Sequence, residues 1–136
     1  MNRTATATIL GYNYQFNKSI KEILNADANT KIMVEGSNED LDIFTQDKTI
    51  AIQCKYYESS ENLTPSVLAK PILDMLISYI ENKDINFRLY IHYKNVVTEQ
   101  KESLDVSLFN TILETNNKSY VKKYFPIIYS FNDDLN

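Results

Sequence analysis

The chain has 136 residues, of which 43% are hydrophobic and 24% charged, with only two glycines and one cysteine; this suits one globular domain with a real core. A formal net charge of −4 excludes a protein that coats nucleic acid by bulk positive charge. No apolar run approaches the roughly 20 residues of a membrane helix, and a lone cysteine can build neither an internal disulfide nor a thiolate metal cluster.

The opening stretch MNRTATATILGY lacks the charged-then-apolar layout of an export signal, so the sequence points to the cytoplasm, where a single thiol stays reduced. Tyr12, Phe16, Ile20, Ile23 and Leu24 fall at helical spacing and predict a helix over about 12–25. At about 100° per residue, Gln15, Ser19 and Glu22 lie along one edge of that stripe. After a polar break at 25–29, KIMVEG predicts a strand ending at Gly36 and SNED a loop. LDIF and TIAIQCKYY then predict two more strands joined as a hairpin.

ESSENLTP is a polar linker that ends as a helix should begin, with Thr64 placed to cap and Pro65 at the first helical position. Leu68, Ile72, Met75, Leu76, Tyr79 and Ile80 carry an apolar stripe on to about Asn82, and Pro71 is expected to kink this helix or divide it. NFRLYIHY alternates as a fourth strand, with Phe87, Leu89 and Ile91 on one face and Arg88, Tyr90 and His92 on the other. A third helix is predicted over about 99–115, with Val106, Phe109, Ile112 and Leu113 inward. The tail KSYVKKYFPIIYSF reads equally as a short helix or as a strand interrupted at Pro126. In it Lys118, Lys122 and Lys123 alternate with tyrosines, as on nucleic-acid surfaces and also on ordinary solvated helix faces. The whole, 1–136, is expected to be one α/β domain. Its core, about 11–94, runs α-β-β-β-α-β with a central mixed sheet flanked by helices, and an α-rich C-terminal extension covers about 95–136.

The hairpin carries the chemistry. Glu35 to Glu61 holds seven acidic residues against two lysines, whereas Lys83 to Lys123 holds seven basic against five acidic. If Asp47-Lys48 forms the turn, or Gln46 to Thr49, Asp42 faces Gln53 and Asp40 faces Lys55. Alternation then gathers Asp40, Asp42, Ala51, Gln53 and Lys55 on one face and Leu41, Ile43, Ile50, Ile52 and Cys54 on the other. A solvent-facing hairpin with a cross-strand Asp–Lys pair accounts for this pattern, and so does a site. The apolar side of the hairpin claims Cys54, which argues against a thiol nucleophile. His92, the only histidine, is expected to be a packing or surface residue.

An acid on one strand followed by acid-or-amide, any residue and lysine on the next resembles the PD-(D/E)xK nuclease superfamily. NEDLDIF with TIAIQCKYY looks like its Mrr-type branch, in which Gln-x-Lys replaces Glu-x-Lys. The upstream GYNYQ and VEGSNEDLDIF are similar to N-terminal nuclease domains of bacterial anti-phage effectors, and the resemblance covers about residues 11–94. It implies a restriction-endonuclease-like core and Mg²⁺- or Mn²⁺-dependent hydrolysis of DNA in defence or restriction. Asp42 matches the metal-ligating acid, Gln53 the second position and Lys55 the lysine. Gln15 sits where relatives place a helix-borne Glu or Gln, Glu35 matches an upstream acid, and Asp40 can substitute for either carboxylate. Gln53 in place of Glu removes one negative charge from the site. The resemblance further implies a homo-oligomer and a sensor or NTPase module in the same or a partner chain.

Each residue type fits the reaction. Mg²⁺ takes hard oxygen ligands, which Asp42, Gln53, Glu35 and the Cys54 backbone carbonyl can supply. Lysine is a compact cation suited to a charged transition state. The alternative is a nuclease-like fold without catalysis, serving nucleic-acid binding or oligomerisation, with Asp42 and Lys55 as a structural ion pair.

Overall fold

The computed structural model describes residues 3–95 and Thr111. The tail with Lys118, Lys122 and Lys123, and nearly all of the predicted C-terminal extension, lie outside the described residues. The elements run in the expected order: α1 (Arg3–Asn25), β1 (Lys31–Val34), β2 (Leu41–Phe44), β3 (Thr49–Tyr57), α2 (Pro65–Glu81) and β4 (Ile85–Tyr93). The four strands form one mixed sheet in the order β1-β2-β3-β4. The first three pair antiparallel, and β4 pairs parallel to β3 after the α2 crossover.

The β2–β3 register differs by two residues from the expectation. Leu41 faces Ile52 and Asp42 faces Ala51, not Gln53. The cause is the turn. Thr45 N–H donates to the Lys48 carbonyl at 2.9 Å, and the Thr45 hydroxyl donates to the same carbonyl while accepting from the amides of Asp47 and Lys48. This side-chain-stapled Thr45–Lys48 turn closes one step earlier than a turn centred on Asp47-Lys48. A slip of two preserves the side-chain period, so both predicted faces survive. On the apolar one, Leu41, Ile43, Ile50 and Ile52 form a buried cluster against which Ile32, Cys54 and Tyr90 pack.

The opposite face is covered as well. Asp42 and Ala51 are fully buried there, and α2 contributes Ala69, Ile72, Leu73, Met75 and Leu76 to the core. A solvent-facing hairpin is therefore ruled out. Helix α2 starts where predicted, with the Thr64 hydroxyl accepting from Val67 N–H. It runs through Pro71 as one helix. Proline costs a backbone hydrogen bond, but the buried side chains on either side of it hold both turns to the sheet.

Helix α1 departs furthest from expectation. It begins nine residues before position 12, and its apolar stripe does not face the sheet: Ile9, Tyr12, Phe16, Ile20, Ile23 and Leu24 are all exposed. The side toward the sheet carries Tyr14, Lys18 and Ser19. Lys18 and Ser19 are buried, with Lys18 paired to Glu22 at 2.7 Å and lying 4.3 Å over the Tyr90 ring. Tyr14 stacks on Tyr90 at 4.8 Å, and both Tyr14 and Tyr56 meet His92. Aromatic contact and a cation–π pair hold this helix to the sheet, and His92 is a packing residue as the sequence suggested.

Candidate functional site

Strand β2 leaves β3 at the Leu41–Ile52 pair, so β3 from Gln53 onward has no β2 partner on that side. Asp40 occupies the vacated position. Its Oδ2 accepts from Cys54 N–H at 2.8 Å, replacing a ladder hydrogen bond. A strand residue turns its N–H and C=O to the same edge, so the Cys54 carbonyl faces the Asp40 side too. Register parity puts Gln53 and Lys55 on the sheet face that carries Asp42 and Ala51.

Asp42 has a different environment. Fully buried, it accepts at Oδ2 from Asn38 N–H (3.0 Å) and the Asn38 side-chain amide (3.2 Å), and at Oδ1 from Glu39 N–H (3.2 Å). It therefore folds the 36–39 loop back over β2. Gly36 lies so close that a Cβ there would run into the Asp42 carboxylate. Glu35, exposed, adopts a left-handed backbone (φ 51°) and donates its N–H to the Asp40 carbonyl at 2.7 Å. A non-glycine residue in that region costs about 1–2 kcal/mol, offset here by the loop's carboxylate-centred hydrogen bonds.

Two open clefts adjoin this edge. One, of about 420 Å³, is lined by Tyr12, Gln15, Glu35, Gly36, Asn38, Glu39 and Asp40. The other, about 250 Å³, is lined by residues that include Tyr12, Gln15, Asp40, Gln53, Cys54 and Lys55. Gln15, Glu35, Asp40, Gln53 and Lys55 thus meet around one edge, whereas Asp42 lines neither cleft. Sequence reasoning proposed all six, and the loop geometry separates Asp42 from the rest.

Electrostatics adds residues that the sequence reading did not single out. Glu39 is pushed up to about 7, by burial first and then by Asp40, Asp42 and Asp74, with Lys55 acting in the opposite direction. Glu39 and the α2 residue Asp74 therefore belong to the same charged neighbourhood. The SNED loop was readable as a loop, but only the closure onto Asp42 brings Glu39 in. Burial, with Asp40 adding to it, pushes the Cys54 thiol up to about 12, so a thiolate nucleophile is excluded at neutral pH. Among the described residues Lys55 forms no ion pair, so the Asp42–Lys55 pair of the non-catalytic alternative is absent.

Among the described residues, no group of three His, Cys, Asp or Glu side chains is arranged to hold a metal. The available donors are instead mixed oxygens: the Asp40 carboxylate, the Cys54 carbonyl and the Gln53 amide. Gln53 Oε1 is buried and has no hydrogen-bond partner among the described residues. An unmatched buried acceptor costs about 1–3 kcal/mol, and a hard cation is a natural partner for such an oxygen. These residues fit a divalent ion held weakly, with water or substrate oxygens completing its shell.

Comparison with protein-family models, with curated proteins and with solved structures finds no match for this chain.

Proposed function

We propose that the chain is a divalent-metal-dependent nuclease domain, built on a restriction-endonuclease-like core, that hydrolyses DNA phosphodiester bonds in prokaryotic anti-phage defence or restriction. The observation that carries this reading is the gathering of Gln15, Asp40, Gln53 and Lys55 around one cleft at an open strand edge, together with the buried Gln53 Oε1, which has no hydrogen-bond partner among the described residues. Buried polar groups are normally satisfied, so in this reading the Gln53 oxygen is matched by a bound cation. Asp40, Gln53 and the Cys54 carbonyl would hold Mg²⁺ or Mn²⁺, with Glu35 at the margin, and Asp42 stands behind them as the support of the loop. The bound ion would lower the pKa of a coordinated water and neutralise charge on phosphoryl oxygens.

The chain's own residues supply the remaining functions. Lys55, held in no ion pair among the described residues, presents a cation to a pentavalent phosphate at the cleft. Gln15, on α1, offers an amide to orient water or a phosphate oxygen from the other wall. The Asp40–Cys54 hydrogen bond fixes the carboxylate before substrate arrives, which is the kind of preorganisation that positioning requires. One such site cuts one strand, so double-strand cleavage calls for a homo-oligomer.

The test is cleavage of supercoiled plasmid with Mg²⁺ or Mn²⁺ by wild type and Lys55→Ala at matched purity. Metal-dependent nicking in wild type that falls at least 100-fold in the variant supports the reading. Equal activity in both proteins exposes a contaminating nuclease and sinks the site assignment, whereas binding of DNA without cleavage in either metal points to the non-catalytic nuclease-like fold.

A further inference from the structure

Helix α1 is two-sided. Tyr14, Lys18 and Ser19 face the sheet, where the Tyr14–Tyr90 stack and the Lys18 ammonium over Tyr90 hold the helix. The opposite side presents Ile9, Tyr12, Phe16, Ile20, Ile23 and Leu24, each between 47% and 79% exposed. At 100° per residue these six fall within an arc of about 120°, and at 1.5 Å per residue they run about 22 Å along the helix. Between Ile9 and Leu24 that arc holds no charged side chain, and Asn13 is its one amide. Tyr12 and Phe16 stack on each other within it, with ring centroids 6.4 Å apart. An apolar patch of this size marks an interaction surface.

Two features of the patch select its partner. The first is spacing. Ile9, Tyr12, Phe16, Ile20 and Ile23 are separated by three, four, four and three residues, so the row reads alike from either end about Phe16. A face shared by two copies in a two-fold pair must be complementary to itself. Laid antiparallel, two such rows match: Phe16 beside the partner's Phe16, Tyr12 beside the partner's Ile20, and Ile9 beside the partner's Ile23. The second feature is area. Each of these large side chains leaves roughly 100 Å² open, so the patch offers on the order of 600 Å² per protomer. A pair would bury on the order of 1,200 Å², the lower bound of specific interfaces.

We propose that the outer side of α1 is a homodimer interface, in which two α1 helices pack antiparallel about a two-fold axis at Phe16. This pairing follows from the surface of α1 and does not rest on the nuclease reading. Tyr12 lines both clefts, so each cleft has the partner's α1 at its margin. Burial against a second copy also accounts for an apolar stripe turned away from its own sheet.

The test uses the full chain. Sedimentation equilibrium is run at about 50 µM, where interfaces at the weak end of the specific range are populated. Wild type is expected to show twice the 15.8 kDa chain mass. Phe16→Glu, which sets two carboxylates beside the axis, is expected to show the single mass with an unchanged far-UV circular dichroism spectrum. Ile20→Asp is the second disrupting variant, should the first fail to fold. Register is read by mixing Ile9→Cys with Ile23→Cys protein under mild oxidation. The expected product is the mixed disulfide, while neither protein alone links to itself, because antiparallel packing sets like positions about 20 Å apart. Cys54, whose thiol burial keeps protonated, is a spectator. A monomeric wild type would overturn the proposal and leave the stripe to a different occupant. A folded Phe16→Glu or Ile20→Asp protein that stays dimeric would overturn it too, as would self-linking at position 9 or 23 or the absence of the mixed disulfide.

Discussion

Removing the Asp42 carboxylate strips three N–H donors in the 36–39 loop of their acceptor. Asp42→Ala is expected to lower stability by about 2–4 kcal/mol, read as a fall in the urea midpoint without a change of slope. Gly36→Ala pushes a methyl group into the same carboxylate and should cost about 1–3 kcal/mol. Glu39 adds a pH dependence. Its carboxyl holds a proton to about pH 7 when folded, against 4.5 for a free glutamate side chain. The folded state thus binds that proton more tightly, and the associated stability is complete below pH 4.5 and lost as pH rises through 7. Glu39 is only half-buried, so after allowance for solvent screening the loss is on the order of 1 kcal/mol. In paired urea melts at pH 5 and pH 8, Glu39→Gln should be less pH-sensitive than wild type by that amount. An identical pH response in the two proteins would remove Glu39 from the charged neighbourhood.

At the scale of elements, the Thr45–Lys48 turn sets the register of the hairpin. Thr45→Val deletes the hydroxyl that bonds three backbone groups, with an expected cost of about 1 kcal/mol. Amide hydrogen exchange should then rise first in β2 and in the first half of β3. An unchanged exchange pattern would mean that the apolar cluster alone fixes the pairing. Much of this level was legible in the sequence. Strand alternation named both hairpin faces, and Thr64-Pro65 named the start of α2. The register difference was invisible to the pattern because a shift of two leaves every side chain on its face. The rotation of α1 was hidden for a related reason. Periodicity reports that a helix has an apolar side, not which neighbour that side meets, and stacking of Tyr14 with Tyr90 outweighed it. Asp40 and Asp42 present the same residue type on the same face, so only the loop closing onto Asp42 tells the support from the open-edge carboxylate.

At the scale of the molecule, the described residues combine two covered sheet faces with a stretch of β3 that β2 leaves open. The faces hold Leu41, Ile43, Ile50 and Ile52 on one side and Ala51, Asp42 and the α2 side chains on the other. Beyond Ile52, β3 has no β2 partner, and this edge is the proposed ligand site. The most direct test of this division is to compare Asp40→Asn with Asp42→Asn for both plasmid nicking and urea stability. Asparagine at 40 keeps an acceptor for Cys54 N–H but loses the charge, so that variant should stay within about 1 kcal/mol of wild type and lose nicking at least 100-fold. Asparagine at 42 turns an amide donor toward N–H groups and should instead be the destabilised protein. A stable Asp40→Asn variant that nicks DNA at the wild-type rate would contradict the account.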